Sequence, residues 1–163
     1  MNSTRVSQYI SAPRERVYRA LIDAKAVAIW KVPDGMTCQV HSFDPREGGG
    51  FRISLTYDAP DRAGKTAAQT DTYHGRFVEL VPNERIIEVE EFETADPSLQ
   101  GEMRSTITLS DKNGGTEVVG VHEELPPGVP VADNDAGWRM ALGKLAALVE
   151  ADLRLQGEIE PRP

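Results

Sequence analysis

The feature that most constrains this chain is a change of hydrophobic period. Between residues 36 and 124 apolar and polar residues alternate in one stretch after another, and between residues 134 and 154 the period lengthens to that of a helix. In "FRISLTYD" Phe51, Ile53, Leu55 and Tyr57 alternate with Arg52, Ser54, Thr56 and Asp58, as in a strand with one buried face. In "DNDAGWRMALGKLAALVEADL" Trp138, Leu142, Leu145 and Val149 step by four, three and four, a continuous apolar stripe. A sheet face and a helix stripe each need cover, and each can supply it to the other. The expected architecture is therefore α+β, a curved antiparallel sheet wrapped around a long C-terminal helix.

The other elements follow from local signals. "RVSQYI" (5–10) reads as a first strand, and "SAPRERVYRALID" turns helical, with Val17, Ala20, Leu21 and Ala24 on one stripe and Pro13 in its first turn. Asp23 can cap a second short helix, "AKAVAIWKV", which must end by Val32 because Pro33 disfavours helical geometry in the residue before it. Strands follow at "MTCQVHSF", "FRISLTYD", "DTYHGRFVELV", "RIIEVEEF", "EMRSTITLS" and "TEVVGVHEE", with turns at "DPREGGG", "PNE" and Asn113-Gly114. The small, polar stretch 59–70 reads as a loop. The prolines of "LPPGVPVADN" forbid regular structure there, so that Asp133 or Asn134 caps a final helix of about 20 residues. With no repeat and no linker, one domain spanning 5–155 is expected, with a frayed tail at 156–163.

Composition excludes several functions. Eighteen Lys plus Arg against 26 Asp plus Glu leave a net charge of −8, which repels nucleic acid and anionic lipid. No apolar run approaches the roughly 20 residues of a membrane span, and the first residues carry no export signal, so the expected location is the cytoplasm. Cys38 is the only cysteine, which rules out an internal disulfide and a cysteine-built zinc site within one chain.

Five stretches in fixed order, "ISAPRERVYRALID" with Ile29-Trp30, "FDPREGGGFRI", "YHGRFVELVPNERI", "GGTEVVGVHEE" and "GWRMALGKLAALVE", resemble the family of activator of heat-shock-protein-90 ATPase homologues. That family belongs to the START-like, or SRPBCC, superfamily with a helix-grip fold, and the resemblance covers residues 5 to about 152. It implies an apolar cavity between sheet and helix, used across the superfamily for lipids, hormones, polyketides and aromatic compounds, with enzymes a minority. The family's eukaryotic co-chaperones carry a further N-terminal domain for much of their chaperone contact, which makes co-chaperone activity a lesser expectation than ligand binding.

The candidate cavity residues are Trp30, Phe51, Ile53, Leu55, Tyr57, Val89, Glu91, Ile107, His122, Trp138, Leu142 and Leu145. Large inward side chains such as Phe51 are first of all core, whereas Trp30 and Tyr57 carry a polar handle that needs a partner when buried. His122 shares a strand face with Val118 and Gly120. It reads either as a structural histidine satisfied at the sheet edge or as a ligand contact. In "RIIEVEEF" one face holds Ile87, Val89 and Glu91, the other Ile86, Glu88, Glu90 and Phe92. Glu91 continues the apolar one, so it lies past the core or meets a polar partner.

Chemistry has little local signature. His41 and Cys38 fall on opposite faces of one strand and cannot share a metal, and His74 is a weaker candidate still. There is no Gly-x-Ser-x-Gly elbow, and "EGGGF" precedes a strand where a phosphate loop needs a helix. No catalytic residue, metal or cofactor is therefore called. The expected partner is a small apolar or amphipathic ligand, with Tyr57 or His122 orienting it. A polyketide cyclase or hydrolase using His122 or Glu91 is the alternative, and a chaperone-associated or homodimeric interaction module is the third reading.

Overall fold

The structure is a computed structural model that describes residues 2–58 and 69–159, with side chains described as far as Leu155. The segment read as a loop at 59–70 falls almost wholly outside the described residues. The chain runs β1 (Thr4–Ile10), α1 (Arg14–Leu21), α2 (Ala24–Trp30), β2 (Met36–Phe43), β3 (Gly50–Tyr57), β4 (Thr70–Val81), β5 (Arg85–Phe92), a short 3-10 turn (Pro97–Leu99), β6 (Met103–Lys112), β7 (Gly115–Glu123) and α3 (Val131–Ile159). The seven strands form one antiparallel sheet in the order β1-β7-β6-β5-β4-β3-β2, curled around α3: the helix-grip fold.

Local chemistry explains the turns. Asn113 and Gly114 both take positive φ, 47° and 79°, as a two-residue hairpin turn between β6 and β7 requires. The Asp23 carboxylate accepts from Lys25 N at 3.0 Å and caps α2, which stops at Trp30, ahead of Pro33. Register shifts at Val40/Ser42 and Phe77/Glu79 mark bulges that bend the sheet.

Two expectations need correction. The final helix begins at Val131, not after Asp133 or Asn134: Asn134 N already bonds to Pro130 O at 3.1 Å, and a proline ahead of the first turn gives up no intrahelical donor. Its far end, Ile159, lies four residues into the stretch read as a tail, and residues 160–163 lie outside the described residues.

The space between sheet and helix is unequal at its two ends. At one end Ile10, Val17, Ile86, Ile107, Val118, Leu142, Leu145 and Val149 pack into a continuous core. At the other, the first turns of α3 stand over the ends of β3, β5 and β7 without filling the gap. A satellite cluster of Leu99, Met103, Leu125 and Val129 closes one side of that gap. Among the described residues no helix is long and apolar enough to cross a membrane.

Candidate functional site

The unfilled end is a cavity of about 500 Å³, within the range of small-molecule sites. Apolar groups form most of its wall: Trp30, Met36, Leu55, Tyr57, Phe92, Met103, Val129, Trp138 and Met140. Its mouth lies between α3 and residues 33–36, where Lys144 Nζ donates to Val32 O at 2.7 Å and pairs with Asp34 at 3.1 Å, tying the helix to the chain entering β2. Gly137 faces Pro33 across this mouth, at 3.9 Å from where a Cβ would stand.

Polar side chains converge on the floor, drawn together by sheet register. Glu88 lies opposite Ser105, Ser105 opposite His122, and His122 opposite Thr4, a buried polar row across four strands. Two residues along β5, Glu90 shares the face of Glu88 and lies opposite Met103. Lys31, at the end of α2, reaches down to Glu88 at 3.4 Å with its ammonium 5.6 Å from the Phe51 ring and 5.9 Å from the Tyr73 ring.

His122 is held from the helix side. Trp138 donates its indole N–H to His122 Nδ1 at 3.0 Å, and the amide of Asn134 contacts the same nitrogen at 3.1 Å. Thr4 Oγ1 donates to Asn134 Oδ1 at 2.7 Å, which leaves the Asn134 nitrogen facing the ring. Because indole is a donor only, Nδ1 is the acceptor and the imidazole hydrogen sits on Nε2. That nitrogen lies 3.0 Å from Glu90 Oε1 but off the line of a hydrogen bond, and both it and Glu90 Oε2 are buried with no hydrogen-bond partner.

The electrostatics follow from burial. Burial pushes the Glu88 carboxyl above the ordinary carboxylate range and Glu90 pushes it further, while Lys31 opposes the shift. The two carboxylates hold Lys31 protonated, its pKa raised in spite of its own burial. Tyr73 is raised mainly by burial, with Lys31 opposing. Burial also pushes the Cys38 thiol up, so it is not an activated nucleophile.

Of the residues expected at the cavity, Trp30, Leu55, Tyr57, His122 and Trp138 line it. The polar handle of Trp30 turns away, donating to Ala20 O at 3.0 Å. Phe51, Ile53, Ile107, Leu142 and Leu145 belong to the solid core, because the cavity occupies only one end of the grip. Val89 and Glu91 lie on the opposite face of β5, the inner face being Ile86, Glu88, Glu90 and Phe92. Glu91 pairs there with His74 at 3.2 Å, and His74 also meets Glu93, which binds Arg52 through both oxygens. His41 is exposed and contacts Ser54 at 2.7 Å.

The sequence reading missed Lys31, Asp71, Tyr73, Glu88, Glu90 and Asn134. The available signal was Ile86 and Phe92 bracketing two glutamates at the same parity.

Residues 11–150 match the family described as Activator of Hsp90 ATPase homolog 1-like protein. No curated protein matches the chain. Among solved structures, a protein of Chromobacterium violaceum is 38% identical over 91% of this chain and 97% of its own, with a TM-score of 0.81. A protein of Rhodobacter sphaeroides is 21% identical over 92% and 93%, with a TM-score of 0.75. A protein of the dynemicin biosynthetic locus is 23% identical over 92% of this chain and 48% of its own, with a TM-score of 0.65. The last two share the fold.

Proposed function

The chain belongs to the family of Activator of Hsp90 ATPase homolog 1-like proteins, whose fold is a ligand-binding fold, and from that premise we propose that this protein binds a small amphipathic molecule in the cavity beneath the first turns of α3. The observation that carries the reading is the cavity's composition: about 500 Å³, mostly apolar walls, and at one end two buried polar atoms, Glu90 Oε2 and His122 Nε2, with no partner among the described residues. Apolar burial supplies affinity at about 25 cal/mol per Å² removed from water, and the floor sets orientation.

The test is a thermal-shift screen with fatty acids, sterols and polycyclic aromatics, alongside native mass spectrometry of freshly purified protein. The reading expects saturable stabilisation by at least one class and its loss on Leu55→Trp, which fills the wall. No stabilisation by any class contradicts it.

A second reading, catalysis, draws support from the contact between Glu90 and His122, a buried carboxylate and imidazole that could move a proton at a bound carbonyl. Any turnover found must then fall with Glu90→Gln and with His122→Gln.

A further inference from the structure

The floor is chemically asymmetric. Glu88 and Glu90 are 5% and 7% exposed, and the ammonium that faces them is Lys31, paired to Glu88. Lys144 is occupied at the mouth by Val32 O and Asp34. Among the described residues the floor therefore sets two carboxyl groups, Glu88 and Glu90, against one ammonium, and an anionic head group would enter against that field.

Within this field two atoms have no hydrogen-bond partner among the described residues. Glu90 Oε2 is a carboxyl oxygen able to accept, and His122 Nε2, with Nδ1 taken by Trp138, is a donor. They belong to side chains already in contact, His122 Nε2 lying 3.0 Å from the other carboxyl oxygen of Glu90, which makes the two atoms neighbours on the floor. A hydroxyl both donates and accepts through a single atom. An ammonium satisfies only Glu90, an ether oxygen only His122, and a carboxylate repels Glu90.

Resting on the binding function proposed above, we infer that the ligand is a hydroxylated apolar molecule, a phenol or alcohol, whose hydroxyl donates to Glu90 Oε2 and accepts from His122 Nε2–H. Beside this pair Lys31 is bound to Glu88 at 3.4 Å. A buried carboxyl oxygen without a donor is costly, and a ligand hydroxyl at this position supplies one.

The test compares 2-naphthol, 2-methoxynaphthalene, 2-naphthoate and naphthalene for binding to the full chain by calorimetry, with wild type and Glu90→Leu. In wild type 2-naphthol binds about tenfold or more tightly than the methyl ether and the carboxylate, the range expected of one hydrogen bond to a charged group. In Glu90→Leu, which removes the carboxyl group and leaves Lys31 with Glu88, the hydroxyl and the ether bind alike. Binding of all four with no preference for the hydroxyl overturns the inference while leaving the cavity as a binding site. A preference that survives Glu90→Leu also overturns it. Failure of all four to bind overturns both.

Discussion

Trp138 donates its indole N–H to Nδ1 of His122 at 3.0 Å, joining the first half of α3 to the last strand of the sheet. The ring can sit there because Gly120 leaves the sheet bare beneath it: a Cβ at Gly120 would stand 2.8 Å from Trp138 Cζ3. Trp138 is thus both the last piece of the core and one wall of the cavity, and it fixes which nitrogen His122 turns toward Glu90.

Replacing Trp138 by Phe keeps most of the ring area and removes the donor. The expected cost is about 1 kcal/mol in denaturant unfolding. Nitrogen-15 imidazole spectra should show Nδ1 unprotonated in the wild type and a mixture of tautomers in the variant. A protonated Nδ1 in the wild type would contradict the assignment.

Adding a methyl group separates two glycines. Gly120→Ala forces the Trp138 ring to move and is expected to destabilise by about 1–3 kcal/mol, with a change in tryptophan fluorescence. At Gly143, inside α3, no heavy atom lies within 4 Å of the added Cβ, so Gly143→Ala is expected to stabilise by about 0.5–1 kcal/mol.

Lys31→Met leaves Glu88 and Glu90 buried without their cation. The expected loss is about 3–5 kcal/mol near neutral pH. The loss should shrink toward pH 4.5 as Glu88, whose carboxyl burial holds above the ordinary range, takes up its proton. A variant as stable as wild type at pH 7 would show that the ammonium holds nothing in place.

The pH dependence has a definite sign. Glu88 titrates higher in the folded protein than its ordinary 4.5, so the folded state binds the extra proton and stability falls as pH rises above that value. Glu88→Gln removes this slope, and melting temperatures of variant minus wild type should therefore climb from pH 4.5 toward neutrality. Lys31, also raised, contributes stability that is complete below its ordinary 10.5 and lost above it. Parallel curves across the acid window would exclude the Glu88 contribution.

The fold was legible because its signals are local. Strand alternation, the Asn113-Gly114 turn, the Asp23 cap and the stripe through Trp138, Leu142, Leu145 and Val149 each depend on a few neighbouring residues. The start of α3 was misplaced because prolines were read as breaking regular structure, whereas Pro130 sits where a helix tolerates it. The site was only half legible. Choosing the inner face of β5 by apolarity selected Ile87 and Val89, but the inner face is the one with Glu88 and Glu90. Those two are tolerated inside by Lys31, 57 residues away from Glu88 in sequence, and by His122. Long-range pairing of this kind leaves no periodic trace. Nor does periodicity reveal that the grip closes at one end and stays open at the other.

The central claim is that the open end of the grip receives a small molecule, and the most direct measurement is an amide and indole NMR titration with 2-naphthol. The account expects saturable shifts at the Trp138 indole and at Tyr73, Glu90, Met103 and His122, with Ile10, Val118 and Leu145 at the solid end unmoved. Shifts that do not saturate, or that centre away from these residues, would contradict it.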